Sequence, residues 1–244
     1  MTGRLAILVL VALAIGACGG DEPESLVVSA AASLGDAFVE IADAFETANP
    51  GVDVELNFGG SSSLREQILE GARIDVFASA DVATMDGVVA AGALASSPVV
   101  FARNSMVLAV PQGDRGSITS LEDLADPARF VGLCNPEVPC GSLARQVLAN
   151  AGVVASIDTE EPDVRALLAK IGAGELDAGI VYSSDIDAAD VDGIPLDPAI
   201  NVTTDYPIAV LAGAPSPDLA DRFVAFVLSA GAREILAEHG FGTP

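Results

Sequence analysis

Apolar positions change their spacing repeatedly along this chain, and each change marks a new element. Leu26, Val27 and Val28 form a short apolar run, after which Leu34, Phe38, Ile41, Phe45 and Ala48 recur at helical spacing. Asn49, Pro50 and Gly51 stop that helix. Val52, Val54, Leu56 and Phe58 then alternate with polar neighbours, the period of a half-buried strand. The same reading predicts helices over 64–71, 82–91, 143–150 and 165–171, and strands over 74–78, 99–101, 106–110, 130–133 and 178–182. A last helix is expected over 217–239. This βαβα rhythm predicts an α/β fold in which helices cover both faces of a parallel sheet. Ligands of such sheets bind beyond the carboxyl ends of the strands, where loops enter helix N-termini.

The N-terminus departs from that rhythm. Arg4 precedes an unbroken apolar run over 5–15, too short for a bilayer, which needs roughly 20 apolar residues. The layout is that of a secretory signal over 1–17. Ile15-Gly16-Ala17-Cys18 resembles the lipobox of bacterial lipoproteins, which makes Cys18 the expected lipidation site and 18–25 a polar tether to the membrane. Export also bears on Cys134 and Cys140, which flank a short loop; in an oxidising compartment they are expected to pair, the alternative being two free buried thiols. A zinc site would want four ligands, and the only histidine, His239, lies far along the chain. The formal charge of −24, from 35 acidic against 11 basic residues, argues against nucleic acid or an anionic membrane surface as partner.

Candidate chemistry sits in the loops. Ala31-Ala32-Ser33 and Gly60-Ser61-Ser62-Ser63 each lie between a strand and a helix. Serine there either caps the helix or joins the exposed N–H groups in receiving an anion. Cys140-Gly141-Ser142 and Glu161-Pro162-Asp163-Val164 also begin helices, and Tyr182 ends the strand over 178–182, where a core role is the alternative. These groups are neutral hydrogen-bond donors. Such a set suits a fully deprotonated anion such as sulfate, molybdate or tungstate, whereas hydrogen phosphate would want an acceptor for its proton. No Gly-x-Ser-x-Gly elbow and no phosphate-cradling Gly-Lys-Ser/Thr occurs, and His239 is placed at the end of a helix, so a binding protein is expected rather than an enzyme.

Ala30-Ala31-Ala32-Ser33-Leu34, Phe58-Gly59-Gly60-Ser61-Ser62-Ser63-Leu64, the run over 71–81, Asn135-Pro136-Glu137-Val138-Pro139-Cys140-Gly141, Asp163-Val164-Arg165 and the run over 179–185 follow one another in this order. Together these segments resemble the molybdate-binding proteins of ABC importers. The resemblance implies a type II periplasmic binding protein fold, with two α/β lobes joined by two crossover strands and a ligand cleft between them. Lobe 1 would comprise 26–102 and 207–244, and lobe 2 103–206. Ser33 and Ser61 would give hydroxyl and backbone donors, Cys140 and Val164 backbone N–H groups, and Tyr182 its phenol. Gly60 stands where many members have serine, so Ser62 is the alternative to Ser61; Cys140 stands where alanine is common. The implied ligand is molybdate or tungstate, with sulfate or another small anion as the alternative. No cofactor or free metal cation is implied. The implied partner is a membrane permease, and the implied state is a monomer, held by lipid alone on the extracytoplasmic side.

Overall fold

The computed structural model describes residues 24–113 and 118–244. The expected signal, Cys18 and most of the tether lie outside the described residues. Strand β1 (Glu24–Ala31) runs through a 3-10 turn (Ala32–Leu34) into α1 (Gly35–Ala48). Then follow β2 (Val52–Gly59), α2 (Ser61–Leu69), β3 (Val76–Ala78), α3 (Val82–Ala90) and β4 (Val99–Pro111). The middle of the chain holds β5 (Val131–Cys134), α4 (Pro139–Ala151), β6 (Thr159–Glu161), α5 (Val164–Gly172), β7 (Ala178–Tyr182) and β8 (Val191–Pro195). The chain closes with β9 (Thr203–Val210), α6 (Pro217–Val227) and α7 (Ala230–Glu238).

The strands order as β2-β1-β3-β9-β4-β7-β5-β6, with β8 also on β4. Both ends of this series are parallel, β2-β1-β3 and β7-β5-β6, as the βαβα rhythm predicts. The middle is not: β9 and β4 run antiparallel to their neighbours, so the sheet is mixed. The two strands expected over 99–101 and 106–110 are one. The first half of β4 pairs with β9 from Val99 to Ser105, and its second half pairs with β7 from Met106 to Ala109. This strand and β9 thereby carry the chain between two α/β lobes. The helix expected over 217–239 is also two, because Ser229 begins a new N-terminus and accepts the Ala232 N–H at 3.3 Å.

Helix α1 turns Ala37, Phe38, Ile41, Ala42 and Phe45 onto the sheet. Phe38 and Phe45 both meet Phe223 of α6 edge-on, which ties the C-terminal helices to the first lobe. Burying side chains of this size contributes roughly 1.5–3 kcal/mol each. The aromatic packing continues to the crossover. Phe101 on β4 contacts Tyr206 on β9, and Tyr206 contacts Tyr182 at the end of β7, with ring centroids 5.9 Å apart. Among the described residues no helix is long and apolar enough to cross a membrane.

Candidate functional site

Three helix N-termini and the turn before α1 converge on one cleft between the lobes. Its walls include Ser33 after β1, Gly60 and Ser61 at the start of α2, Cys140 in the first turn of α4, Val164 at the start of α5, and Tyr182. The cleft encloses about 230 Å³ of empty space, part of it open to solvent. Ser61 and Val164 are the first residues of their helices and Cys140 the second, so their N–H groups have no intrahelical acceptor. The positive dipole ends of these helices meet at the cleft, which favours an anion there.

The serines do not cap their helices. Ser61 Oγ accepts the Ala80 N–H at 3.0 Å, and Ala80 is itself held through its carbonyl by Thr204 Oγ1 at 2.8 Å. With one lone pair so engaged, the Ser61 hydroxyl proton is free to donate. Ser33 Oγ lies 2.9 Å from Tyr206 Oη, and Asn104 Nδ2 donates to Tyr206 Oη at 3.4 Å. Either hydroxyl can donate in this pair; with Tyr206 as the donor, the Ser33 proton is left for the cleft. The same Asn104 donates to Ser184 Oγ at 2.7 Å and accepts from Ser183 Oγ at 2.9 Å. One network thus links the Ser33 loop, both crossover strands and the segment after Tyr182.

Tyr182 Oη is buried and has no hydrogen-bond partner among the described residues. Burial first, and the neighbouring Tyr206 second, hold the Tyr182 phenol well above its ordinary range, so at neutral pH it is a neutral O–H donor. Asp163 also lines the cleft, but its Oδ1 accepts the Ala166 N–H at 3.0 Å as the cap of α5. Cys134 and Cys140 are joined as a disulfide, with Cα atoms 5.9 Å apart. That bond ties the first turn of α4 to the end of β5. Arg145 adds to it, donating to the carbonyls of Cys134 and Gly141 at 2.9 and 3.0 Å.

The five residues singled out in the sequence therefore share one cleft, and the choice between the neighbouring serines is visible. Ser62 faces away from it: its Oγ donates to the Glu137 carbonyl at 2.5 Å, across the seam between lobes. Arg165 makes a second crossing, donating through Nη2 to Asp36 at 2.6 Å and through Nε to the Ala32 carbonyl at 3.3 Å. The lobes are thus in contact. Tyr206 and Asn104 are not among the expected site residues; that Tyr206 is one of two tyrosines in the chain is the sequence signal for it.

Asp185 lies behind Tyr182, fully buried, with Oδ2 accepting the Tyr182 N–H at 3.2 Å and Oδ1 lacking a partner among the described residues. Desolvation raises its carboxyl to about pH 7, against the opposing pull of Arg165 and the Tyr182 N–H. The sign follows from proton binding. Between the ordinary carboxylate range and pH 7 the folded state holds a proton that the unfolded chain releases, so this contribution to stability is present at low pH. It is lost as pH rises through 7. The melting temperature of Asp185→Asn relative to the parent protein should accordingly rise between pH 5 and pH 8; an unchanged difference between the two would show that Asp185 does not titrate there.

Comparison with known proteins adds a separate line. The family described as bacterial extracellular solute-binding protein matches residues 26–242. The molybdate-binding protein ModA of Mycobacterium tuberculosis (strain ATCC 25618 / H37Rv) is 41% identical over 256 residues, covering 100% of this chain and 97% of its own. Among solved structures, the substrate binding domain of a putative molybdenum ABC transporter from Clostridium difficile matches at a TM-score of 0.67 and 28% identity, covering 90% of this chain and 99% of that one. The periplasmic molybdate-binding protein of Azotobacter vinelandii matches at 0.76 with 22% identity over 90% of this chain and 99% of its own, a likeness of fold.

Proposed function

Because this chain belongs to the molybdate-binding proteins among the bacterial extracellular solute-binding proteins, we propose that it captures molybdate in the cleft between its lobes and delivers it to an ABC transporter. Tungstate, of the same shape and charge, is a second ligand of the same site. The reading is of a binder and not of an enzyme. The observation that carries it is the donor set: hydroxyls of Ser33, Ser61 and Tyr182 and backbone N–H groups of Cys140 and Val164 line one cleft, while Asp163 Oδ1 is held by the Ala166 N–H as the cap of α5. Each of these five residues offers the ligand a proton, as a fully deprotonated oxyanion requires.

In this reading the lobes comprise 26–102 with 207–244, and 103–206. Ser33 and Ser61 bind from the first lobe and Cys140, Val164 and Tyr182 from the second. An anion touching both favours the closed arrangement, and closure is the signal read by the permease. Charge-assisted hydrogen bonds contribute roughly 1.5–3 kcal/mol each, so a handful supports the roughly −8 to −12 kcal/mol of micromolar to nanomolar binding after desolvation is met. The net charge of −24 opposes the anion only at range, since salt screens it over about 8 Å. Cys18 would anchor the exported protein to the membrane by lipid, as a monomer.

Calorimetric titration of ligand-stripped protein with molybdate, tungstate and sulfate is the test. The expected result is micromolar or tighter binding of molybdate and tungstate and much weaker binding of sulfate. Tight sulfate binding with no heat from molybdate would make this a sulfate importer's protein, and silence for all three would overturn the oxyanion reading.

A further inference from the structure

Gly60 precedes α2 with φ −60° and ψ 129°, a conformation open to any residue. Its backbone therefore gives no reason for glycine. Local helix stability gives a reason against it, because serine, threonine, asparagine and aspartate are the better residues at this N-cap and Gly60 supplies no side-chain acceptor. The reason lies across the cleft. A Cβ on Gly60 would stand 2.6 Å from the Pro162 carbonyl oxygen and 3.1 Å from Val138 Cγ1. Both belong to the opposite lobe, Val138 as the N-cap of α4 and Pro162 just before the N-cap of α5. Pro162 O is backbone, fixed between β6 and α5, and cannot turn aside as a side chain would.

We propose that Gly60 is the residue that sets how far the two lobes close, and so how tightly the cleft seals around its anion. The missing side chain lets the loop before α2 come down on the starts of α4 and α5. In that position Ser61, Cys140 and Val164 reach one ligand at the same time. In this chain a methyl or hydroxymethyl group at 60 holds the lobes apart at this point, because the obstructing atoms come from the other lobe; members with serine here must seat the two segments farther apart. Gly60 is a positioning residue in this sense, and the inference rests on the reading of the cleft as an oxyanion site that closes on its ligand.

The variants Gly60→Ala and Gly60→Ser separate closure from folding. Without ligand both should melt at or above the temperature of the parent protein, serine supplying the cap that glycine lacks. With ligand, both should lose about tenfold or more in affinity, mainly through faster release. X-ray scattering should show the parent protein contracting on addition of molybdate and the variants contracting less. Parent-like affinity and contraction in both variants would overturn the role of Gly60. A parent protein that neither binds nor contracts with molybdate, tungstate or sulfate would overturn the oxyanion reading and this inference with it.

Discussion

Tyr182→Phe weakens molybdate binding by about ten- to a hundredfold and at the same time raises the melting temperature of the ligand-free protein. The two effects share one cause. Tyr182 Oη is buried at the end of β7 with no hydrogen-bond partner among the described residues, so its hydroxyl carries a desolvation cost that no bond from them offsets. Phenylalanine removes the hydroxyl and keeps the ring against Tyr206. In the proposed site the same hydroxyl would be a charge-assisted donor to the anion, and the variant would lack it. Titration and thermal melting on the same samples check both signs. Unchanged affinity would remove Tyr182 from the site, and a lower melting temperature would show that the hydroxyl has a structural partner.

Gly141→Ala has the largest expected effect on folding, about 3 kcal/mol or more of lost stability, together with loss of anion binding. The added Cβ would lie 1.9 Å from the Asn135 carbonyl oxygen and 2.5 Å from that of Cys134, both backbone atoms of the loop closed by the disulfide. Neither can rotate away, so the first turn of α4 must lift off β5, and the Cys140 N–H goes with it. Gly231→Ala, within α7, is the control: nothing lies within 4 Å of its Cβ, and a helical alanine should gain roughly 0.5–1 kcal/mol over glycine. Urea unfolding of the two variants measures the contrast. Similar midpoints would show that the loop before α4 yields freely.

The residues legible in the sequence were those whose chemistry is local. Ser33, Ser61, Cys140 and Val164 each stand at a helix start, and a helix start exposes donors wherever it occurs. The disulfide was legible from spacing and export. What the sequence hid depends on contacts made far along the chain. β9 contains Pro207, a residue that speaks against a central strand; here it sits where β4 shifts register between Val100 and Ala102, and the irregularity accommodates the missing N–H. Arg103, Asn104 and Ser105 read as a polar gap between two strands, because β4 is crossing between lobes there and Asn104 is spent on the network through Tyr206 and Ser184. The break between α6 and α7 was hidden for the opposite reason, since apolar periodicity continues through it. Gly60 was visible as a departure in the serine loop, but only the opposite lobe explains it.

Ser61 against Ser62 is the clearest case of structure refining sequence. The two are adjacent, alike and equally suited to capping. One accepts the Ala80 N–H and lines the cleft with its proton free to donate, and the other is bonded to the Glu137 carbonyl across the seam.

The most direct test of the central claim is anomalous diffraction at the molybdenum edge from crystals of the molybdate-soaked protein. A single strong peak in the cleft, with oxygen atoms within hydrogen-bonding distance of Ser33, Ser61, Cys140, Val164 and Tyr182, is the expected result. A peak elsewhere on the molecule, or an empty cleft at saturating molybdate, would contradict it.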